Sequence, residues 1–449
     1  MSVDIHHQQS YTNSHIIRMA VPLMLSFLLE QLIGMTDVAF LGRVGEVELG
    51  AAALAGVFFL TVLMLGIGYA IGVQSYMSHR NGEKAYEKIG TAFRAGTVFL
   101  TGLSLALIVL TLIFSPLFLD AACESPEVAD AAGEYLFWRV WGLPFAFVCG
   151  LYRGFFVATL KPGILTLSSF VMVLTNCVLN YCLIFGIGPV PALGIAGAAI
   201  ASSLAEVVCL LFFTGYALTR TNHRRYALFE GLRGLTGALQ MHLFRLGRWL
   251  MLQEAFAFFA WLLFFIAIEH LGEQPLAVSN IVRQLSALYF LFIHGFGSTC
   301  GAISANLIGE GRADEVPALC RRGLWLCGIS MLPLIAVSAL LPAPALGIFT
   351  NLPEIIDAAI PTFYVMLGSN FIALASMYYL FVMGGMGQTK ETSLASVIAA
   401  VVYMGYVGLI TQLSSDVAVA WTADYVYYGV SGIVIAYFWR IGTWRTRKV

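Results

Sequence analysis

Charge is what this chain has least of. Only 11% of its 449 residues are Asp, Glu, Lys or Arg, the formal net charge is -1, and 59% are hydrophobic; a soluble domain carries about 25% charge. So little polar material cannot coat a soluble globule, and the near-neutral balance offers no basic face to nucleic acid. The eight cysteines exclude little more. Cys177 and Cys182 share one apolar run, Cys149, Cys209, Cys300 and Cys327 lie in or near others, and no CxxC pair or histidine at metal spacing accompanies them. They read as small buried hydrophobes. HExxH, GxSxG and a Walker loop are all missing, and His79, His270 and His294 are scattered over separate segments, so the chain does not read as an enzyme. A cleaved leader is not expected: the first residues are polar (His6, His7, Gln8, Gln9, Ser10) and the first apolar run is too long for a signal sequence.

Apolar runs are what the chain has in abundance, with a mean hydropathy of +0.84. Crossing about 30 Å of hydrocarbon takes roughly 20 apolar residues as a helix. Such windows recur over 15–41, 49–78, 89–119, 131–159, 163–186, 194–219, 241–270, 275–308, 317–349, 356–386, 392–413 and 418–440. The fold class is therefore an all-α membrane protein with twelve transmembrane helices.

Lys and Arg set the orientation. Arg80, Lys84 and Lys88, then Lys161, Arg220, Arg224, Arg225 and Arg233, then Arg312, Arg321 and Arg322, then Lys390, Arg445, Arg447 and Lys448 all fall on one side. The connections on the other side carry Glu46, Glu48, Asp120, Glu124, Glu127, Asp130, Glu269, Glu273, Glu354, Asp357 and Asp416, with Arg43 nearly their only cation. The basic side is expected in the cytoplasm, with both termini.

The chain is also written twice. Arg18-Met-Ala-Val-Pro-Leu-Met-Leu25 reappears as Arg245-Leu-Gly-Arg-Trp-Leu-Met-Leu252, and Gly68, Gly72, Ser75 and Gly82 meet Gly297, Gly301, Ser304 and Gly311 at one constant offset; Tyr152 and Phe155 match Tyr378 and Phe381 more loosely. A six-span duplication gives two six-helix lobes related by a pseudo-twofold axis along the membrane normal, which is a transporter plan. The expected division is 1–219 for the first lobe, 220–240 for a cytoplasmic linker and 241–449 for the second lobe.

Within the first span stand two acids, Asp37 and, about two helical turns earlier, Glu30, so both project from one face. A carboxylate facing lipid costs roughly 3 kcal/mol or more, so an acid at that depth is walled by protein or water and marks a candidate site. Asp37 lies near the outer end of span 1, Asn176 and Asn180 one to two turns below the exit of span 5, and Ser202 about two turns into span 6. All four can meet. Their carboxylate, amide and hydroxyl oxygens suit Na+, at Asp37, Asn176 and Asn180 above all, and a protonatable Asp flanked by amides equally suits H+.

Met35-Thr-Asp-Val-Ala-Phe-Leu-Gly42 with Leu49-Gly-Ala-Ala-Ala53 resembles the first-helix signature of the MATE (multidrug and toxic compound extrusion) family. Tyr135-Leu-Phe-Trp-Arg139 with Pro144 and Tyr152-Arg-Gly-Phe155 is similar to its DinF-like branch. The stretches 176–186, 194–202, 275–280 and 309–314 match further family patterns, so the resemblance spans nearly the whole chain. It implies a twelve-helix exporter of small-molecule drugs or organic cations, driven by inward H+ or Na+, without a cofactor, in the bacterial plasma membrane and monomeric. It also implies a first-lobe cation and proton site at Asp37, Asn176, Asn180 and Ser202, with Tyr135 beside it.

Asn180 stands where DinF-like relatives often carry Asp, closer to the NorM-like pattern, and Glu30, where some relatives carry Gln, is expected to return the missing charge. Glu254, near mid-membrane in span 7, matches a NorM-like cation-binding glutamate. Its usual acidic partner in span 10 is absent, since Leu374-Ala-Ser-Met-Tyr-Tyr379 offers only Ser376 and tyrosines, so Glu254 is assigned to a second cation site or to cationic substrate. Phe256, Phe258, Trp261, Tyr289, Phe292 and Tyr378 are candidates for a substrate cavity working through stacking and cation-π contact. Arg139 and Arg153 are expected to reach the interface, Arg283 to pair with Glu269 or Glu273, Glu206 to stand alone and Asp424 to be interfacial. Pro22, Pro144 and Pro361 are expected to kink their spans. The alternative function is a lipid-linked precursor flippase, which needs a strongly cationic cavity and has only Arg139, Arg153 and Arg283 within the spans to make one.

Overall fold

A computed structural model describes residues 11–122, 125–187, 191–350 and 352–445. His6, His7, Gln8, Gln9, Ser10, Glu124, Arg447, Lys448 and the side chain of Asp120 lie outside the described residues.

Among those residues the structure is helical, in the order α1 (Asn13–Leu41), α2 (Glu46–Gly82), α3 (Tyr86–Ala122), α4 (Pro126–Arg139), α5 (Leu143–Ala158), α6 (Gly163–Phe185), α7 (Gly194–Arg220), α8 (His223–Tyr226), α9 (Gly237–Glu269), α10 (Glu273–Gly309), α11 (Val316–Leu340), α12 (Pro342–Leu346), α13 (Pro353–Gly385), α14 (Thr389–Leu413), α15 (Val417–Trp421) and α16 (Ala423–Ile441). With α4 and α5 taken as one crossing, eleven of these segments are long and apolar enough to span a bilayer. Their outward positions are apolar too: Leu211 is 65% exposed and Ile433 74%. Side chains of this kind on helices of this length face acyl chains, and the protein is a multi-pass membrane protein.

Three crossings are interrupted, the fourth one next to Pro144, where a kink is expected. The fourth is broken by a tight turn over Val140–Gly142, because Pro144 has no N–H for the Val140 carbonyl; Ser203 Oγ covers the Trp138 and Arg139 carbonyls there at 3.4 Å. The ninth was expected to reach 349 but ends at Leu340, since Pro342 pushes Leu341 out of the helical region (φ -128°, ψ 60°). The twelfth is interrupted at Thr422, whose hydroxyl takes the Val419 carbonyl at 2.5 Å and pairs with Tyr406 at 2.8 Å, a side-chain bond competing with the helix. Asp424 and the tyrosines of α16 dilute the hydropathy of that crossing. By contrast, α1 and α13 run unbroken through Pro22 and Pro361.

Two buried clusters form the interior. One is built largely on α2 to α7, the other on α9 to α16. The partition is not the one the repeat suggests: Ile16, Met19 and Ala20 from the start of α1 join the second cluster, and Leu243 and Leu246 from the start of α9 join the first. Each lobe thus inserts its leading helix into the other. Tyr11, just ahead of α1, is buried on the second cluster, and burial together with the Glu310 carboxylate raises its phenol above the ordinary tyrosine range. The repeated glycines do different jobs. A Cβ at Gly72 would lie 2.7 Å from Gly247 Cα, so this glycine admits α9 across the lobe interface, whereas its counterpart Gly301 admits α13 inside one lobe.

Hydrogen bonds join the lobes at the basic end. Asn81 Nδ2 donates to Asn306 Oδ1 at 2.6 Å, Asn306 Nδ2 to the Ala158 carbonyl at 3.1 Å, and His79 Nε2 meets the Met386 carbonyl at 2.9 Å. The segment after α7 is fastened to α3: Arg94 Nη1 donates to the Gly231 and Arg233 carbonyls at 2.8 and 2.7 Å, and Arg225 lies over the Tyr86 ring.

Candidate functional site

Near the acidic end of the first lobe, α1 turns Asp37 toward α6 and α7. Its Oδ1 accepts from Asn180 Nδ2 at 2.6 Å and from Asn176 Nδ2 at 3.2 Å, and its Oδ2 accepts from Ser202 Oγ at 3.0 Å. Asn176 Nδ2 also donates to Ser202 Oγ at 3.0 Å, and Asn180 Nδ2 to Asn176 Oδ1 at 3.1 Å. The spacing on α6 explains the arrangement: Asn176 and Asn180 are one turn apart and share a face. Both are fully buried, Ser202 is 5% exposed, and Asp37 is half-buried. One acceptor is left over, because Asn180 Oδ1 is buried with no hydrogen-bond partner among the described residues. The four residues expected to meet do so.

Tyr135 is buried on α4, within electrostatic reach of Asp37, Arg139 and Glu206. Glu30 is elsewhere. Its Oε1 accepts from Ser26 and Ser169 hydroxyls at 3.1 Å each and from Arg153 Nη1. The expectation that Glu30 restores a charge to the Asp37 pocket is thus overturned: two turns of helix, about 10 Å of rise, separate them, and Arg153 neutralises Glu30 on the spot. Neither arginine of the fourth crossing reaches the interface. Arg139 forms a two-pronged pair with Glu206, Nη2 to Oε1 at 2.6 Å and Nη1 to Oε2 at 3.0 Å, and lies 3.9 Å from the Phe59 ring centre. Glu206 is not alone, and two arginines within one apolar segment were the signal for buried counterions.

In the second lobe, Glu254 of α9 is half-buried and has no hydrogen-bond or ion-pair partner among the described residues. Asp424, in the first turn of α16, is half-buried and within electrostatic reach of Tyr403, Tyr427 and Tyr428, and Tyr427 is within electrostatic reach of both carboxylates. Arg283 forms no salt bridge among the described residues; its guanidinium sits 5.2 Å from the Trp261 ring and 5.5 Å from that of Phe265. Trp261 in turn neighbours Phe258 at 5.6 Å. Phe256 and Phe292 are half-buried. Tyr289 and Tyr378 do not line a cavity: they are 1% and 0% exposed in the second cluster, and Tyr378 Oη donates to the Cys320 carbonyl at 2.9 Å. An aromatic group that went unread from the sequence joins the lobes instead. His294 of α10 sits 4.2 Å from Phe27 of α1 and 4.5 Å from Phe381 of α13, centre to centre.

The chain is 27% identical over 392 residues to a probable multidrug resistance protein NorM of Deinococcus radiodurans, covering 84% of this chain and 81% of that one. It is 23% identical over 451 residues to the probable NorM of Synechocystis, covering 96% and 95%. Among solved structures it resembles an outward-facing conformation of a multidrug resistance MATE family transporter of the MOP superfamily, with a TM-score of 0.87 and 17% identity over 96% of both chains. A MOP superfamily transporter from Pyrococcus furiosus, described by the reversed polarity of its binding pocket, gives 0.85 at 17% identity over 96% of both chains. These likenesses carry the fold. The MatE family model matches residues 22–182 and 250–407, one stretch in each half, and the chain belongs to the MatE family.

Proposed function

We propose that the protein is a secondary active exporter that moves organic, mostly cationic drugs out of the cell in exchange for inward H+ or Na+. The observation that carries this reading is the Asp37 cluster: a half-buried carboxylate ringed by amide and hydroxyl groups, with a spare buried acceptor at Asn180 Oδ1. A buried charge of this kind is kept where something binds it. One proton or one Na+ at Asp37 neutralises the cluster, and occupancy then favours whichever lobe arrangement holds the cation better. Drug and cation need only differ in their preference between two lobe arrangements to be exchanged.

The remaining features fit. The lobes, 1–219 and 241–449 joined by 220–240, are hydrogen-bonded to each other at the basic end, which in this reading faces the cytoplasm of a bacterial cell. A monomer suffices for the cycle. A flippase is disfavoured because the arginines it would need are occupied: Arg139 by Glu206, Arg153 by Glu30, and Arg283 by the faces of Trp261 and Phe265. Glu254 and the Phe258–Trp261 pair supply an acid and aromatic walls for a cationic drug in the second lobe.

Transport in proteoliposomes tests the reading. A fluorescent organic cation should accumulate under an imposed pH gradient or Na+ gradient, each applied alone, and the effective gradient names the coupling ion. Accumulation under neither removes the antiport reading.

A further inference from the structure

Asp37 and Glu206 both lie within electrostatic reach of one guanidinium, that of Arg139. The connection is structural as well. On α7, Ser202 bonds Asp37 and Glu206, one turn later, bonds Arg139; on α4, Tyr135 and Arg139 are likewise one turn apart. The two helices are therefore linked from the cation cluster, through Ser202 and Glu206 of α7, to Arg139 of α4. Arg139 is also the last residue before the turn Val140–Gly142, where the fourth crossing breaks. Gly142 is built against the pair: a Cβ there would collide with the Glu206 carboxylate and Arg139 Nη1. A side chain at this position would have to push the ion pair aside.

We propose that Arg139 is a positioning residue for coupling, one that senses whether Asp37 is loaded and passes that state to the hinge of the fourth crossing. When Asp37 is empty its negative charge competes with Glu206 for the guanidinium. When a cation sits on Asp37 that pull is cancelled, and Arg139 settles wholly on Glu206. The hinge at 140–142, anchored to α7 by Ser203 and Glu206, is drawn one way or the other. This rests on the reading of Asp37 as the cation site given above and adds the part that converts loading into movement.

Two variants test it in proteoliposomes, with Asp37→Asn as reference. In Glu206→Gln the neutral amide no longer holds the guanidinium against Asp37, so Arg139 turns to Asp37 and competes with the driving cation; the apparent affinity for that cation falls about tenfold or more, while gradient-free drug counterflow persists. The double variant Arg139→Met/Glu206→Met leaves the lobe's net charge unchanged and replaces a buried pair by apolar groups, which proteins generally tolerate. It should show native counterflow but gradient-driven accumulation about tenfold lower. Native cation dependence in either variant overturns the proposal, and if Glu206→Gln fails to fold the double variant decides alone. If Asp37→Asn abolishes gradient-driven accumulation while the pair variants behave as native, only the role of Arg139 falls. If Asp37→Asn is itself native-like, the cation site falls first.

Discussion

Asn180 donates to Asp37 Oδ1 at 2.6 Å while its own carbonyl oxygen is buried without a partner. The amide thus uses its donor on Asp37 and keeps its acceptor spare. Removing a hydrogen bond to a charged group costs about 1.5–3 kcal/mol, so Asn180→Ala should slow gradient-driven efflux by about tenfold or more, read as initial rates in vesicles of matched protein content.

Arg153 and Glu30 make the contrasting case of a pair that bridges α5 and α1 through their side chains, away from the cation cluster. Arg153→Ala strands a carboxylate that is only 29% exposed, and should lower stability by about 3 kcal/mol. Thermal unfolding in detergent measures it. The double change Glu30→Met/Arg153→Met should recover most of the loss, because no charge is then left unpaired.

Tyr378 is a core residue. Tyr378→Phe removes one neutral hydrogen bond, to the Cys320 carbonyl, at a cost of about 1 kcal/mol, and should leave the range of exported drugs unchanged. A changed drug profile would restore Tyr378 to a substrate cavity.

Asn81 and Asn306 join the lobes at the basic end at 2.6 Å. If the lobes part there during transport, a cross-link between Asn81→Cys and Asn306→Cys should stop transport, and reduction should restore it. Undiminished transport in the cross-linked protein would show that this end does not open.

The fold was readable because lipid imposes a simple rule: helices of bilayer length with apolar surfaces, repeated, leave few alternatives. Asp37, Asn176, Asn180 and Ser202 were readable for a related reason. Helix rise converts sequence position into depth, and four polar residues at one depth in adjacent spans have each other as partners. Glu30 misled because sharing a helix face with Asp37 says nothing about depth, and Arg153 waits at its own level. Arg139 and Glu206 read separately, one as interfacial and the other as alone, because they lie far apart in sequence and it is the packing of α4 on α7 that pairs them. Pro144 marks the break at Gly142 in advance, whereas the break at Thr422 depends on which side chain stands ready to take the freed carbonyl. Sequence periodicity does not contain that information.

The central claim is that a cation on Asp37 drives export, and Asp37→Asn tests it most directly. The asparagine keeps the size of the side chain and removes the charge. The account predicts a folded protein, with native elution and thermal unfolding close to native, that no longer accumulates a fluorescent organic cation under any imposed H+ or Na+ gradient. Accumulation at the native rate by Asp37→Asn would contradict it.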